Sequence, residues 1–328
     1  MLHLTMEKIM SLYKLTPILL TSMLLTACGG DSSTDNYSTV SFSVSDAPED
    51  SASEVVIAFE QLEFIRDNGE SLIINVDEDE YGNSYQQIDL LQYQGKDSAF
   101  IITEEELPVG HYKNLIIHTK EGSLNYVEDN GTHSLKIPSN KLKLGRFDVL
   151  EGGTQAFTIE FDLRQSLVER GNTSSNNGYN LKPHGITIIN NDSATILKGT
   201  VALSLLSSGS NCIDGEGYVY LYQNHFPDNV NLLDHIDIND LDYIDAALPE
   251  PYAIPYASTS VDPITGAYAF GFIPVGDYTA AFTCNGSEDN PIQYNNTVEI
   301  ANPIEQRISD IELEVEVEKT INFNEIII

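Results

Sequence analysis

Apolar side chains recur at every second position through much of this 328-residue chain, and that periodicity limits its possible folds more than any other feature. Val40, Phe42 and Val44 alternate with Ser and Thr. Val55, Ile57 and Phe59 alternate next, followed by Leu62 and Phe64 after a change of phase. Leu115 and Ile117, then Phe157, Ile159 and Phe161, continue the pattern. A period of two sends successive side chains to opposite faces of an extended chain, so these runs predict half-buried strands. Asp46-Ala47-Pro48, Asn68-Gly69, Asn130-Gly131 and Gly152-Gly153 fall beside or between the runs and turn a chain tightly. The Ser/Asn-rich stretch 171–178 predicts an exposed loop, and 190–194 separates a first domain, 37–192, from a second, 193–328. Second-domain strands are expected near 197–205, 218–222, 267–272, 278–282, 297–300 and 311–317. An acidic, proline-punctuated insertion fills about 227–255; Leu241, Ile244 and Leu248 in it have helical spacing and predict one short helix. The expected fold is all-β: two β-sandwich domains, Ig-like or transthyretin-like, in tandem.

One phrase occurs twice. Leu107-Pro108-Val109-Gly110-His111-Tyr112 returns as Ile273-Pro274-Val275-Gly276-Asp277-Tyr278. Proline fixes φ entering the turn, and glycine can take a positive φ that other residues resist. The tyrosine then opens a strand, its ring free to pack while its hydroxyl reaches a partner. Its place before a strand in both halves implies two sandwiches of related construction.

The N-terminus is an address. A basic start (Lys8, Lys14) leads into an apolar stretch from Ile18 to Leu25 and then small residues, the layout of a secretory signal peptide. The stretch falls short of the ~20 apolar residues that span a bilayer as a helix. Leu25-Thr26-Ala27-Cys28 resembles the bacterial lipobox, which implies cleavage before Cys28 and a diacylglycerol on its thiol. Residues 1–27 are then the signal peptide and 28–36, rich in Gly, Ser and Asp, a flexible tether. Gly29 stands where, by that resemblance, an Asp commonly retains lipoproteins in the inner membrane, so the expected location is the outer membrane.

Composition narrows the partners. The chain has 50 acidic and 16 basic residues; without Glu7, Lys8 and Lys14 it has 49 and 14, a net charge of −35. Such a surface repels nucleic acids and anionic lipid, and it admits basic partners or divalent cations; solubility in a salty medium is the stronger reading. With Cys28 assigned to lipid, Cys212 and Cys284 remain as an even pair, and an exported protein meets an oxidising compartment where such a pair forms a disulfide.

No catalytic motif emerges. Neither Gly-x-Ser-x-Gly nor His-Glu-x-x-His occurs, and among 49 acids nothing singles out a glycosidase pair. His111 and His118 are seven apart on an expected strand, and odd spacing places them on opposite faces. The loop from Asp77 to Asn83 has oxygen ligands at positions one and three and glycine at six, as in an EF-hand. It fails at five (Tyr81) and twelve (Ile88), so a solvated hairpin loop is the stronger reading. The insertion gathers Asp228, Asp234, Asp237, Asp240, Asp242 and Asp245 near His225 and His235 without any ligand spacing. No cofactor, metal or catalytic residue is assigned. The insertion is the expected contact surface, and deleting it is expected to leave folding nearly intact.

The first domain resembles the bacterial lipoprotein family catalogued as domain of unknown function 4382. The likeness rests on Phe42-Ser43-Val44-Ser45-Asp46-Ala47-Pro48, Ile88-Asp89-Leu90-Leu91 and Leu107-Pro108-Val109-Gly110-His111-Tyr112. It continues in Phe157-Thr158-Ile159-Glu160-Phe161-Asp162-Leu163 and Leu181-Lys182-Pro183. The second resembles carboxypeptidase-regulatory-like sandwiches through Thr265-Gly266-Ala267-Tyr268-Ala269-Phe270 and the second copy of the repeated phrase. Neither resemblance implies a catalytic residue, and fold analogy alone supplies no function. The expectation is an outer-membrane lipoprotein acting as a binding or structural module, with an envelope protein or polysaccharide as partner and the membrane reached through Cys28. A glycan or peptide hydrolase using scattered carboxylates and a calcium-binding adhesion module are the alternatives.

Overall fold

The alternating runs become paired strands. The computed structural model describes residues 36–47, 52–172, 175–207, 212, 216–294, 296 and 298–324; Cys28 and all that precedes it lie outside the described residues. In the first lobe, strands Ile186–Asn190, Thr154–Phe161, Tyr37–Asp46 and Ala99–Pro108 form one sheet in that order. Tyr37–Asp46 pairs in parallel with Thr154–Phe161, which sets Phe42 beside Phe157, and antiparallel with Ala99–Pro108. A larger sheet faces it, built on Glu54–Arg66 and Gly110–Thr119 and running through Tyr126–Glu128 and Thr132–Lys136. The phase change after Phe59 is a bulge within the single strand Glu54–Arg66, and it keeps Val55, Ile57, Phe59, Leu62 and Phe64 all in the core. Rings of Phe42, Phe64, Tyr112, Phe147 and Phe157 pack at its centre, with Phe42 and Phe157 stacked at 5.1 Å.

In the second lobe, strands Ala267–Pro274, Ala194–Thr200 and Lys319–Thr320 face the sheet Ala257–Ser260, Tyr218–Gln223, Gly276–Thr283 and Arg307–Leu313. Leu197, Phe270, Val219, Leu221, Phe282 and Ile311 fill the space between the two sheets. The disulfide Cys212–Cys284 lies in this core, with Cα atoms 4.6 Å apart. The protein is all-β.

The sheet containing Tyr218–Gln223 is buried on both faces. Val219 and Leu221 point into the sandwich, while Tyr218, Tyr220 and Tyr222 point outward and are covered by Phe226, Val230, Leu232, Ala253, Val298 and Ala301. Double-sided burial explains the unbroken Tyr-Val-Tyr-Leu-Tyr run. It also corrects the reading of the insertion, which is the lid over the tyrosine face and not a dispensable flap.

Other expectations change as well. No helix forms at Leu241, Ile244 and Leu248: the segment is turns and irregular chain, with Leu241 fully exposed and Ile244 74% exposed. The insertion is tied down by side-chain contacts to Lys182 and His184 of the first lobe and to Asp289 and Gln293 of the second, so it needs no apolar helix face. The stretch 171–178 lies mostly in a hairpin, Leu167–Asn172 with Ser175–Leu181. The strand expected to reach 205 ends at Thr200 and gives way to a helical turn, Leu203–Leu206, that buries Leu206. No strand occurs at 298–300, where Val298 is part of the lid, and the last long strand is Arg307–Leu313, upstream of the expected 311–317.

Candidate binding surface

Two lobes with separate cores meet across polar groups. The outer face of the sheet Tyr37–Asp46/Thr154–Phe161 carries Ser41, Ser43, Ser45, Thr158 and Glu160, all buried. Ser45 donates to the carbonyls of Tyr93 and Asp97 (3.1 and 3.0 Å), and Thr158 donates to Asn191 Oδ1 (2.9 Å). The second lobe closes against this segment so tightly that a Cβ on Gly271 would lie 1.5 Å from the Gly95 carbonyl oxygen. Glu160 is enclosed here with Oε2 unpartnered, and burial pushes its carboxyl well above the ordinary 4.5.

The tighter clamp is Asp162-Leu163-Arg164-Gln165. Asp162 caps the one-turn helix Leu163–Ser166 and also accepts the Ser258 N–H at 3.1 Å. Gln165 Nε2 donates to the Tyr256 carbonyl (3.0 Å). Arg164 stacks 4.2 Å over the Tyr218 ring and donates from Nε to Ser258 Oγ (2.9 Å) and from Nη2 to the Gly286 carbonyl (2.6 Å). Beside it Asp289 accepts from Tyr220 Oη at 2.5 Å and lies 2.8 Å from His235 Nδ1, both side chains of the His–Asp pair being buried. Burial raises the Asp289 carboxyl, but His235, Arg164 and the Tyr220 hydroxyl together hold it below the ordinary carboxylate value. Burial, and then the Asp289 carboxylate beside it, push the Tyr220 hydroxyl far up against the opposing pull of Arg164. This His–Asp–Tyr–Arg cluster was not visible in the sequence, because its members come from four separate segments.

Next to the clamp lies a cleft of about 800 Å³ between the hairpin Leu167–Asn172/Ser175–Leu181 and the segment 286–293. Glu169, Glu216 and Asp242 stand exposed on it. Asp129, deeper, accepts from the Tyr179 hydroxyl at 2.7 Å.

The insertion's acids divide by role. Asp234 is buried, Asp240 takes an ion pair from Lys182 (2.5 Å), and Asp237 lies 3.7 Å from His184 Nδ1. Gln293 braces the tip, accepting from the Ile244 N–H (3.1 Å) and donating to the Asp242 carbonyl (2.8 Å). Several acids therefore point inward to hold the segment, while Ile238, Leu241 and Ile244 point outward.

The remaining candidates resolve singly. Asp79 accepts from the Asn83 side-chain amide (2.8 Å) and from the N–H groups of Asn83 and Tyr81 (2.8 and 2.9 Å), which lower its carboxyl and make it the organiser of a turn; Asp77 accepts from Thr103 (2.7 Å). Among the described residues no three His, Cys, Asp or Glu are grouped to hold a metal ion. His111 and His118 share the outer face, not opposite faces, because a bulge near Arg66 shifts the phase between Tyr112 and Leu115. They stand roughly 23 Å apart along the strand. Each has its own acid, His111 with Asp148 at 2.6 Å and His118 with Glu63 at 2.9 Å, so they form no pair.

Residues 37–183 match a family described as a domain of unknown function (DUF4382). No curated protein matches the chain in sequence. Among solved structures, a candidate cell adhesion protein from Parabacteroides distasonis aligns at 6% identity over 76% of this chain and 78% of its own, with a TM-score of 0.18. Another from Bacteroides fragilis aligns at 12% identity over 88% and 92%, with a TM-score of 0.20. A candidate adhesin from Bacteroides ovatus aligns at 7% identity over 90% and 95%, with a TM-score of 0.17. At these scores the backbones do not superpose as one fold, and the likeness carries no functional weight.

Proposed function

We propose that this chain is a lipoprotein of the outer membrane, anchored through Cys28, whose two sandwiches form a binding or structural module of the cell envelope. The second lobe, in this reading, is a carboxypeptidase-regulatory-like sandwich. The observation that carries the reading is the lobe junction. The charged groups of its clamp are engaged: Arg164 by Ser258, Gly286 and Tyr218, and Asp289 by His235 and Tyr220. A catalytic site needs a base aimed at a place where substrate can sit. Here the buried groups are aimed at each other and fix two lobes into a rigid scaffold, the setting in which surface loops recognise partners.

Two measurements test this. Detergent phase partitioning of wild type against Cys28→Ala should move the protein from the detergent phase to water, because acyl chains add about 0.8 kcal/mol per buried CH₂. Cross-linking in intact cells should then recover a partner with the anchored protein. Turnover of a glycan, ester or peptide by the purified protein, abolished by Glu169→Gln or Glu216→Gln, would overturn the reading.

A further inference from the structure

We propose that the cleft beside Arg164 and the outward face of the 238–244 tip form one docking surface, and that its occupant is a protein segment carrying lysine or arginine side chains interleaved with apolar ones. This rests on the binding reading above and names the partner's chemistry.

Two independent features point to it. The tip presents Ile238, Leu241 and Ile244 at 53, 101 and 74% exposure. These side chains sit on a segment held by Lys182, His184 and Gln293, so their exposure belongs to a braced surface. Large apolar side chains grouped on a braced surface mark an interaction site, since exposing them costs solvation that a partner recovers. The second feature is the cleft, which begins at Asp242, the residue after Leu241, and is large enough for several side chains.

Charge selects the occupant. Glu169, Glu216 and Asp242 are exposed on the cleft, whereas Arg164, the cation among its described lining residues, has Nε and Nη2 turned to Ser258 and Gly286 and its plane against Tyr218. An anionic glycan or lipid headgroup would therefore meet carboxylates and an already occupied guanidinium. A second copy of a chain with net charge −34 would be repelled. A basic segment meets complementary charge in the cleft, and its apolar side chains can cover Leu241 and Ile244.

Fluorescence anisotropy with a short labelled peptide of repeated Lys-Leu-Ser, and the same peptide with Glu for Lys, tests the surface on the full chain. Salt near 0.15 M limits attraction to carboxylates within about 8 Å. The Lys peptide should bind and the Glu peptide should not. Combining Glu169→Gln, Glu216→Gln and Asp242→Asn should weaken binding about tenfold or more. Leu241→Ser with Ile244→Ser should weaken it several-fold, and neutralising Glu78, Glu80 and Glu121 as a charge-matched control should change it little. Equal losses in the cleft and control variants would mean attraction to overall charge and would overturn the proposal, as would absence of binding. Concentration-dependent self-association abolished by the Leu241→Ser and Ile244→Ser changes would assign the face to a second copy, also overturning it. If the surface fails while cross-linking still recovers a partner, the binding reading stands and this location falls.

Discussion

The repeated Pro-Val-Gly-x-Tyr phrase sets the two lobes side by side. In the first lobe it links Ala99–Pro108 in the smaller sheet to Gly110–Thr119 in the larger; in the second it links Ala267–Pro274 to Gly276–Thr283, again crossing between sheets. The glycines take φ of 141° and 146°. Tyr112 donates to the Pro108 carbonyl at 2.7 Å and Tyr278 to the Pro274 carbonyl at 2.8 Å, each ring buried in its core. The corners are thus the same device: proline sets the entry, glycine permits the turn, and the hydroxyl reaches back to hold the proline carbonyl. Beyond the corner the lobes diverge. Strand Gly110–Thr119 keeps His111, Lys113 and His118 on an outer face that meets solvent, whereas the sheet containing Gly276–Thr283 has its outer face roofed by the insertion. A shared corner fixes how sheets stack, and what covers the outer face is a separate choice.

The largest break in that comparison comes from removing the roof. Replacing 228–250 with a short linker would expose Tyr220 and Tyr222, which meet His235 and the Leu233 carbonyl, and should destabilise the second lobe by more than one large-to-small core change, about 3–5 kcal/mol. Thermal unfolding checks this; an unchanged melting temperature would show that the first-lobe arrangement, with its outer face wet, suffices for both.

Next is the disulfide, present in the second lobe. Cys212 and Cys284 are 72 residues apart. The chain-entropy relation gives about 4 kcal/mol for a loop of that length, so Cys212→Ser with Cys284→Ser should lower the unfolding free energy of the second lobe by that amount. Limited proteolysis should then cut the second lobe first. Cleavage beginning in the first lobe would mean that the bridge does not set the order of stability.

Much of this comparison was legible in the chain. One-sided burial writes itself as alternation, so Val55 to Phe64 announced both a strand and its bulge. Two-sided burial erases alternation, and the Tyr218–Tyr222 run carried no sign of which face was the sandwich and which lay under a lid. The serines at 41, 43 and 45 alternate with the apolar side chains as a solvent face would, yet they are buried, because small hydroxyls suit either setting once their hydrogen bonds are made. The junction cluster of Arg164, Tyr220, His235 and Asp289 had no signal at all, since contacts between distant segments leave no spacing to detect. Composition misled at the insertion, where acids face inward and leucine and isoleucine face out.

Glu160, on that covered face, sharpens the contrast through pH. Its carboxyl is raised by burial above the ordinary 4.5, so between the two values the folded protein holds a proton that the unfolded chain has released. Stability from this group is therefore full below about pH 4.5 and declines as pH rises toward the folded value. Glu160→Gln keeps the shape and removes the titration; its advantage over wild type should grow as pH rises above the ordinary carboxylate range. Chemical denaturation between pH 4 and 8 reads the difference. Parallel curves for the two proteins would mean that the junction admits enough water to let Glu160 ionise freely.

The smallest effect is the most direct test of kinship between the lobes. Tyr112→Phe and Tyr278→Phe each delete one hydroxyl, leave the ring in place, and orphan the proline carbonyl four residues earlier. A neutral hydrogen bond of this kind is worth about 1 kcal/mol net, with a further cost when the abandoned acceptor is buried. If the corner is one device used twice, the two losses should agree within about 0.5 kcal/mol, and the double variant should lose their sum because the sites share no partner. Surroundings do differ: Tyr278 meets Tyr256 edge-on, whereas Tyr112 stacks on Phe147. Removing the hydroxyl changes neither ring contact, so unequal losses would trace to the carbonyl's own access to water. A silent change at one corner would mean that its turn is held by proline and glycine alone, and that the repeated tyrosine packs in both lobes but locks only one.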